Sequence, residues 1–333
     1  MKTMRTTLSA ALMAFGAAAA TTAANATELH LGTYVTTADI RYKGLEKFAD
    51  LVKQKTDGRV TFKLFPSSTL APLPKAWDAV TAGLADAAAT PLVDARVSCY
   101  RKVFFAPTPI DYSKHVEFDR KLMALIGKQF EEAGAVVLMS SNFSYDQEWF
   151  FREPIEKLDQ LEERLVRSVS PIVTRTIELW GGSPVFIPPA ETYQAAERGV
   201  VDSINMGVAT SSSLGLFEVL PYMVNADLYY GNTVYTMNKD RFDELSPEDQ
   251  KAVLAAASEA EEWTSPRYTD WIDRKVGDAV MNGGLNARSV SKDDRARMVA
   301  QLQDGWWDEV KQDENCGPEL GAEVEALFKA YAF

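Results

Sequence analysis

The chain is short of the residues that carry chemistry: two cysteines and two histidines in 333 residues. His30 and His115 show no HExxH spacing and no CxxC accompanies them, so nothing marks a zinc or thiol-redox centre. A G-x-S-x-G elbow and a Walker phosphate loop are both missing. The acid pairs Glu162-Glu163 and Glu261-Glu262 read as solvated helix faces, and no two carboxylates are nominated to face across a cleft as in a glycosidase. No cofactor, no metal and no enzymatic activity is therefore expected. Positive charge is also scarce. Against 47 Asp and Glu stand 35 Lys and Arg, a formal net charge of −12. That field repels nucleic acid and anionic lipid, so neither is an expected partner. It leaves room for a small anion, because one local arginine can hold it. Long hydrophobic runs are missing after the N-terminal segment, where none reaches the roughly 18 residues of a membrane-spanning helix.

What is present is the composition of a globular protein, 46% hydrophobic and 25% charged. The length is right for two lobes or one large domain. Residues 1–26 read as a secretory signal peptide. Lys2 and Arg5 form a basic start, Leu8 to Ala20 is a short apolar run, and Ala24-Asn25-Ala26 places small residues before a cleavage after Ala26. Export puts Cys99 and Cys316 where a disulfide can form. A bridge would tie the C-terminal tail to the first half, and two unrelated cysteines remain the alternative, since sequence supplies no Cα separation.

The periodicity is that of an α/β protein. Glu28–Tyr34 alternates as a strand, Ile40–Thr56 carries a helical apolar stripe ending at Asp57-Gly58, and Val60–Phe65 alternates again. Helices follow at Lys75–Gly83 and Val116–Glu132, with strands at Ala85–Thr90 and Ala135–Ser140. From Pro154 the plan repeats: strands at Leu165–Val169, Ser183–Ile187 and Val201–Met206, helices at Ile172–Trp180 and Glu191–Gly199. Strand-helix alternation used twice predicts two lobes with largely parallel sheets. Tyr229–Met237 reads as a returning strand. Ser246-Pro247-Glu248-Asp249 is a helix start, and the pattern then runs to about Met281, with Pro266 expected to kink or divide it. Lys292–Gln312 and Pro318–Ala332 close the chain as helices.

Residues 154–207 sharpen this reading. Leu165-Val166-Arg167-Ser168-Val169, Trp180-Gly181-Gly182-Ser183-Pro184, Glu191-Thr192-Tyr193-Gln194-Ala195-Ala196 and Gly199-Val200-Val201-Asp202 fall in an order and spacing that resembles the solute-binding family of tripartite ATP-independent periplasmic (TRAP) transporters, DctP type. Phe48–Val52, Gly58-Arg59, Phe65-Pro66, Gly83–Asp86 and Glu244–Ser258 extend the resemblance over most of the mature chain. It implies a two-lobed α/β periplasmic binding protein fold, with hinge strands and a long helix spanning both lobes. The implied division is 27–150 as the first part of lobe I and 151–230 as the main part of lobe II. Residues 231–333 would carry the hinge strand, long helix and C-terminal helices shared between lobes. The implied function is capture of a small carboxylate, sulfonate or zwitterion between the lobes of a periplasmic monomer, and delivery to TRAP permease subunits.

The family commonly grips a carboxylate with the arginine of the strand that Arg167 matches, and a guanidinium can meet a carboxylate with two parallel hydrogen bonds. Strand alternation points Arg164 to the opposite face. Two positions depart from the pattern. Gln147 stands near the place of a second arginine, and Met206, beside Asn205, near that of an asparagine. These departures disfavour a two-carboxylate sugar acid and suit a smaller monoanion, a sulfonate, or a zwitterion whose amine meets Asp146 or Glu148. Tyr34, Trp149 and Phe150 are the candidate aromatic walls, with Tyr193 a weaker one; Thr90 and Pro189, each just past a strand, complete the set. A ligand sensor reporting to a membrane receptor would use the same site. A secreted hydrolase using carboxylates is the other alternative.

Overall fold

The computed structural model describes residues 26–142 and 147–332. The expected signal peptide, save its last residue, lies outside the described residues, as does Asp146. The first part of the chain runs β1 (Thr27–Gly32), α1 (Ile40–Lys55), β2 (Val60–Phe65), α2 (Ala76–Thr81), β3 (Ala87–Ala89), α3 (Ser98–Val103), α4 (His115–Glu132) and β4 (Ala135–Asn142). The second part follows as β5 (Gln147–Phe151), β6 (Leu165–Ser168), α5 (Pro171–Leu179), β7 (Ser183–Phe186), α6 (Pro189–Glu197), β8 (Ser203–Gly207), α7 (Val208–Ser213) and β9 (Tyr222–Asn225). The chain then returns through β10 (Asn232–Asn238), α8 (Lys239–Asp243) and the long α9 (Pro247–Met281). It ends with β11 (Asn286–Ser289), α10 (Lys292–Gln303), α11 (Trp306–Gln312) and α12 (Gly317–Tyr331).

Local chemistry accounts for many of these boundaries. The Asp39 carboxylate accepts from the Arg41 backbone N–H at the start of α1. Ser170, with Pro171 behind it, opens α5, and Ser246 opens α9 by accepting from the N–H of Asp249. A helix over Lys292–Gln312 is divided in the structure: Gly305 takes φ +69° and separates α10 from α11. Pro266, expected to kink or divide the long helix, does not divide α9, which runs through it for 35 residues. Packing holds that stretch. A Cβ on Gly44 of α1 would lie 2.3 Å from Thr264 Oγ1, so only a glycine lets the two helices approach this closely.

Two mixed sheets form the lobes, in strand order β2-β1-β3-β10-β4 and β11-β9-β5-β8-β6-β7. Within the first, β1 pairs in parallel with β2 and β3, while β10 lies antiparallel between β3 and β4. Within the second, β6 is parallel to β7 and β8, and β5 lies antiparallel between β8 and β9. Each sheet therefore takes its antiparallel strand from a segment crossing over from the other. The second sheet begins at Gln147, four residues ahead of the division read from sequence. Helix α9 spans both lobes: Val253, Ala256, Ala257 and Ala260 pack in the core around β1 and α1, and Tyr268 and Ile272 in the core around β8 and β9. Cys99 in α3 and Cys316 before α12 are joined in a disulfide, Cα atoms 4.7 Å apart. Helix α12 also packs on α4, with Phe118 and Phe328 ring centroids 4.8 Å apart.

Candidate functional site

The carboxyl ends of strands from both sheets converge on one crevice, where open α/β sheets place ligands. Tyr34, Leu73, Pro91, Leu92, Phe104, Phe105 and Thr233 line it from the first lobe. Gln147, Arg167, Val169, Pro189, Met206, Gly207 and Thr210 line it from the second. Its water-accessible interior is about 40 Å³, room for about three waters. Another cavity, between α1, α9 and β4, is about 20 Å³ and holds one water at most.

Arg167 is the third residue of β6, in register with Val185 of β7 and Ile204 of β8. Its side chain is 1% exposed. Nε donates to the Ile187 carbonyl at 3.0 Å and Nη1 to the Asn205 carbonyl at 2.8 Å. Nη2 has no hydrogen-bond partner among the described residues, and no carboxylate there forms an ion pair with the guanidinium. Burial pushes its pKa down to about 9, offset slightly by Tyr34. A buried cation without a counter-charge is costly. Its carbonyl contacts fix the planar head in one orientation.

Arg41 makes the contrast. It is equally buried, but Asp39 pairs with it closely and its Nη2 donates to Thr210 Oγ1 at 2.8 Å, across the lobes. Its charge is neutralised within the protein. Thr210 accepts that bond and keeps its own O–H to donate. Tyr34 and Thr233 bond to each other through their hydroxyls at 3.1 Å. The Gln147 side chain faces the crevice with no hydrogen bond to a described residue.

The aromatic wall comes from Phe104 and Phe105, whose rings stack with centroids 4.2 Å apart. Phe105 has φ +63°, a left-handed conformation strained for a bulky side chain. Its ring occupies the space a side chain would fill at Gly231, where a Cβ would lie 2.5 Å from Cδ1.

Of the residues nominated from sequence, Arg167, Tyr34, Gln147, Pro189 and Met206 line this crevice. The others do not. Trp149 and Phe150 are fully buried because β5 is an interior strand with packed helices on its faces: Trp149 lies against Trp180 and Phe150 against Phe217. Thr90 is buried and bonded to Thr236. Asn205 contributes its backbone carbonyl to Arg167, while its side chain donates to the Glu148 carbonyl at 3.3 Å. The Glu148 carboxylate is buried and accepts from the Ala226 and Asp227 amides, so it serves the β5–β9 contact rather than a ligand amine. Tyr193 sits elsewhere, its hydroxyl near Glu218. Arg164 points away from Arg167, to Asp202. Sequence reading missed Leu73, Pro91, Leu92, Phe104, Phe105, Val169, Thr210 and Thr233. The one local signal was position: Thr90-Pro91-Leu92 leaves β3 at its carboxyl end.

The sequence profile described as "Bacterial extracellular solute-binding protein, family 7" (DctP) matches residues 31–313. Among curated proteins, the 2,3-diketo-L-gulonate-binding periplasmic protein YiaO of Escherichia coli K12 is 26% identical over 248 residues, 73% of this chain and 76% of its own. Among solved structures, a TRAP periplasmic solute-binding protein from Desulfovibrio salexigens with bound orotic acid superposes with TM-score 0.82 at 22% identity, covering 92% of this chain and 99% of its own. A Bordetella pertussis extracytoplasmic solute receptor binding pyroglutamic acid gives 0.78 at 19%, covering 91% and 100%.

Proposed function

Because the chain belongs to the bacterial extracellular solute-binding proteins of family 7, we propose that it captures a small organic anion in the interlobe crevice and delivers it to the permease subunits of a TRAP transporter. The observation that carries this is Arg167, a buried guanidinium at the wall of the crevice with, among the described residues, an unused donor and no carboxylate beside it. A ligand carboxylate supplies the missing counter-charge through charge-assisted hydrogen bonds, strengthened by exclusion of water. The relatives support the chemistry: their names specify diketogulonate, orotic acid and pyroglutamic acid, all organic acids.

The crevice interior is too small to admit such a solute without movement. The lobes part and re-close, as hinge proteins do. No chemistry on the solute is required. The protein works as a periplasmic monomer, exported by residues 1–26.

Calorimetric titration of the wild type and of Arg167→Ala with an acid that binds is the test. Leaving a buried charge partner unpaired costs about 2–5 kcal/mol, so the affinity falls at least thirtyfold. Retention of affinity within twofold, in a variant whose circular dichroism is unchanged, overturns the assignment.

A further inference from the structure

We propose that the solute is a monocarboxylate with a flat apolar body, an acid of the benzoate class, rather than a sugar acid or a dicarboxylate. This rests on the crevice being the solute site. The first argument is charge. Among the described residues that line the crevice, Arg167 alone is charged, and Arg41 behind Thr210 is already neutralised by Asp39. A second carboxylate would be buried against Gln147, Thr210 and Thr233, none of which compensates it.

Polar capacity is the second argument. Tyr34 and Thr233 bond to each other, which uses one of their two hydroxyl protons, so the neutral donors facing a ligand are few: at most one proton of that pair, the Thr210 O–H and the Gln147 amide. A sugar acid brings a hydroxyl on nearly every carbon, and each one buried without a partner weakens binding. A benzoate-like body brings none.

The third argument is the wall itself. Phe104 and Phe105 present stacked rings, and Leu92, Val169 and Met206 complete an apolar enclosure. The Phe105 ring is held there despite a left-handed backbone, and its place depends on Gly231 having no side chain. Strain of this kind persists only where surrounding structure enforces it.

The test is a calorimetric and thermal-shift comparison on the folded wild-type protein with benzoate, cyclohexanecarboxylate, benzamide, glucuronate, malonate and phenylalanine. Benzoate is expected to raise the melting temperature and to bind at least a hundredfold tighter than glucuronate, malonate or phenylalanine, and tenfold tighter than cyclohexanecarboxylate. Neutral benzamide loses nearly all affinity. Phe105→Leu, or Gly231→Ala crowding the same ring, lowers benzoate affinity at least tenfold; if either variant misfolds, the wild-type panel decides alone. Any of the four competing acids matching benzoate overturns the proposal. Should glucuronate bind best and Arg167→Ala abolish it, the aromatic class fails while anion capture stands. Should no acid bind, both fall.

Discussion

Arg41 and Arg167 are 2% and 1% exposed, yet their charges are handled differently. One is matched by Asp39 inside the fold; the other has no carboxylate partner among the described residues. The protein tolerates the second because two carbonyls hold the guanidinium and its remaining donor faces the crevice. A buried histidine shows the same physics in a structural setting. His115 donates from Nδ1 to the Tyr112 carbonyl and stacks on the Tyr112 ring, while burial lowers its pKa to about 4. The unfolded chain takes up that proton near pH 6.5 and the folded one refuses it, so stability is full above about pH 6.5 and is lost as pH falls toward 4. The size is about 3 kcal/mol at the low end. Buried Asp119, bonded to Tyr230 and Asn232 and raised to about 7, works the other way over the same range. The melting temperature of His115→Asn relative to wild type should therefore rise as pH falls from 6.5 to 4; a difference independent of pH would rule out the assignment.

Among the elements, α1 and α9 pack closely, and their contact joins the first sheet to the helix that reaches the second lobe. Gly44 is the hinge of that contact only in the packing sense: any Cβ strikes Thr264. Gly44→Ala is expected to lower stability by about 1–3 kcal/mol, measured as a shift in denaturant midpoint at constant slope. Elements governed by local signals were readable from sequence. The α1 stripe and its Asp39 cap, the β2 alternation and the Ser246-Pro247 start each lie within a few residues. Three strands were not readable. β5 carries Trp149, Phe150 and Phe151 in a row, without alternation, because both its faces are buried. β9 and β11 are four residues each, held by pairing, β9 between β5 and β11, rather than by their own pattern. Pro266 does not divide α9 for a related reason: the cost of its lost hydrogen bond is local, while the packing that keeps α9 continuous is not.

At the scale of the molecule, the C-terminal helices are tied covalently to the first lobe by the Cys99–Cys316 bridge, which closes 217 residues. In the chain-entropy picture a loop of that size contributes about 5 kcal/mol. The double variant Cys99→Ser/Cys316→Ser, or the reduced protein, should melt roughly 5–10 °C lower. A melting temperature unchanged by reduction would mean that the bridge adds nothing to the folded state. Such a bridge suits an oxidising compartment outside the cytoplasm, in keeping with a family of extracellular solute-binding proteins.

Sequence alone determined the α/β alternation, most helix starts and, through the order of its motifs, the family, with Arg167 singled out as a residue that the structure places at the crevice. These depend on cap chemistry, periodicity and spacing that act over a few residues. Tertiary structure decided which side chains join Arg167. Tyr34 and Thr233 lie 199 residues apart and touch; Trp149 and Gln147 are two apart, and only Gln147 reaches the crevice. A wall built by two converging sheets depends on register, crossing order and which strand becomes interior, and none of these is encoded within the reach of neighbouring residues.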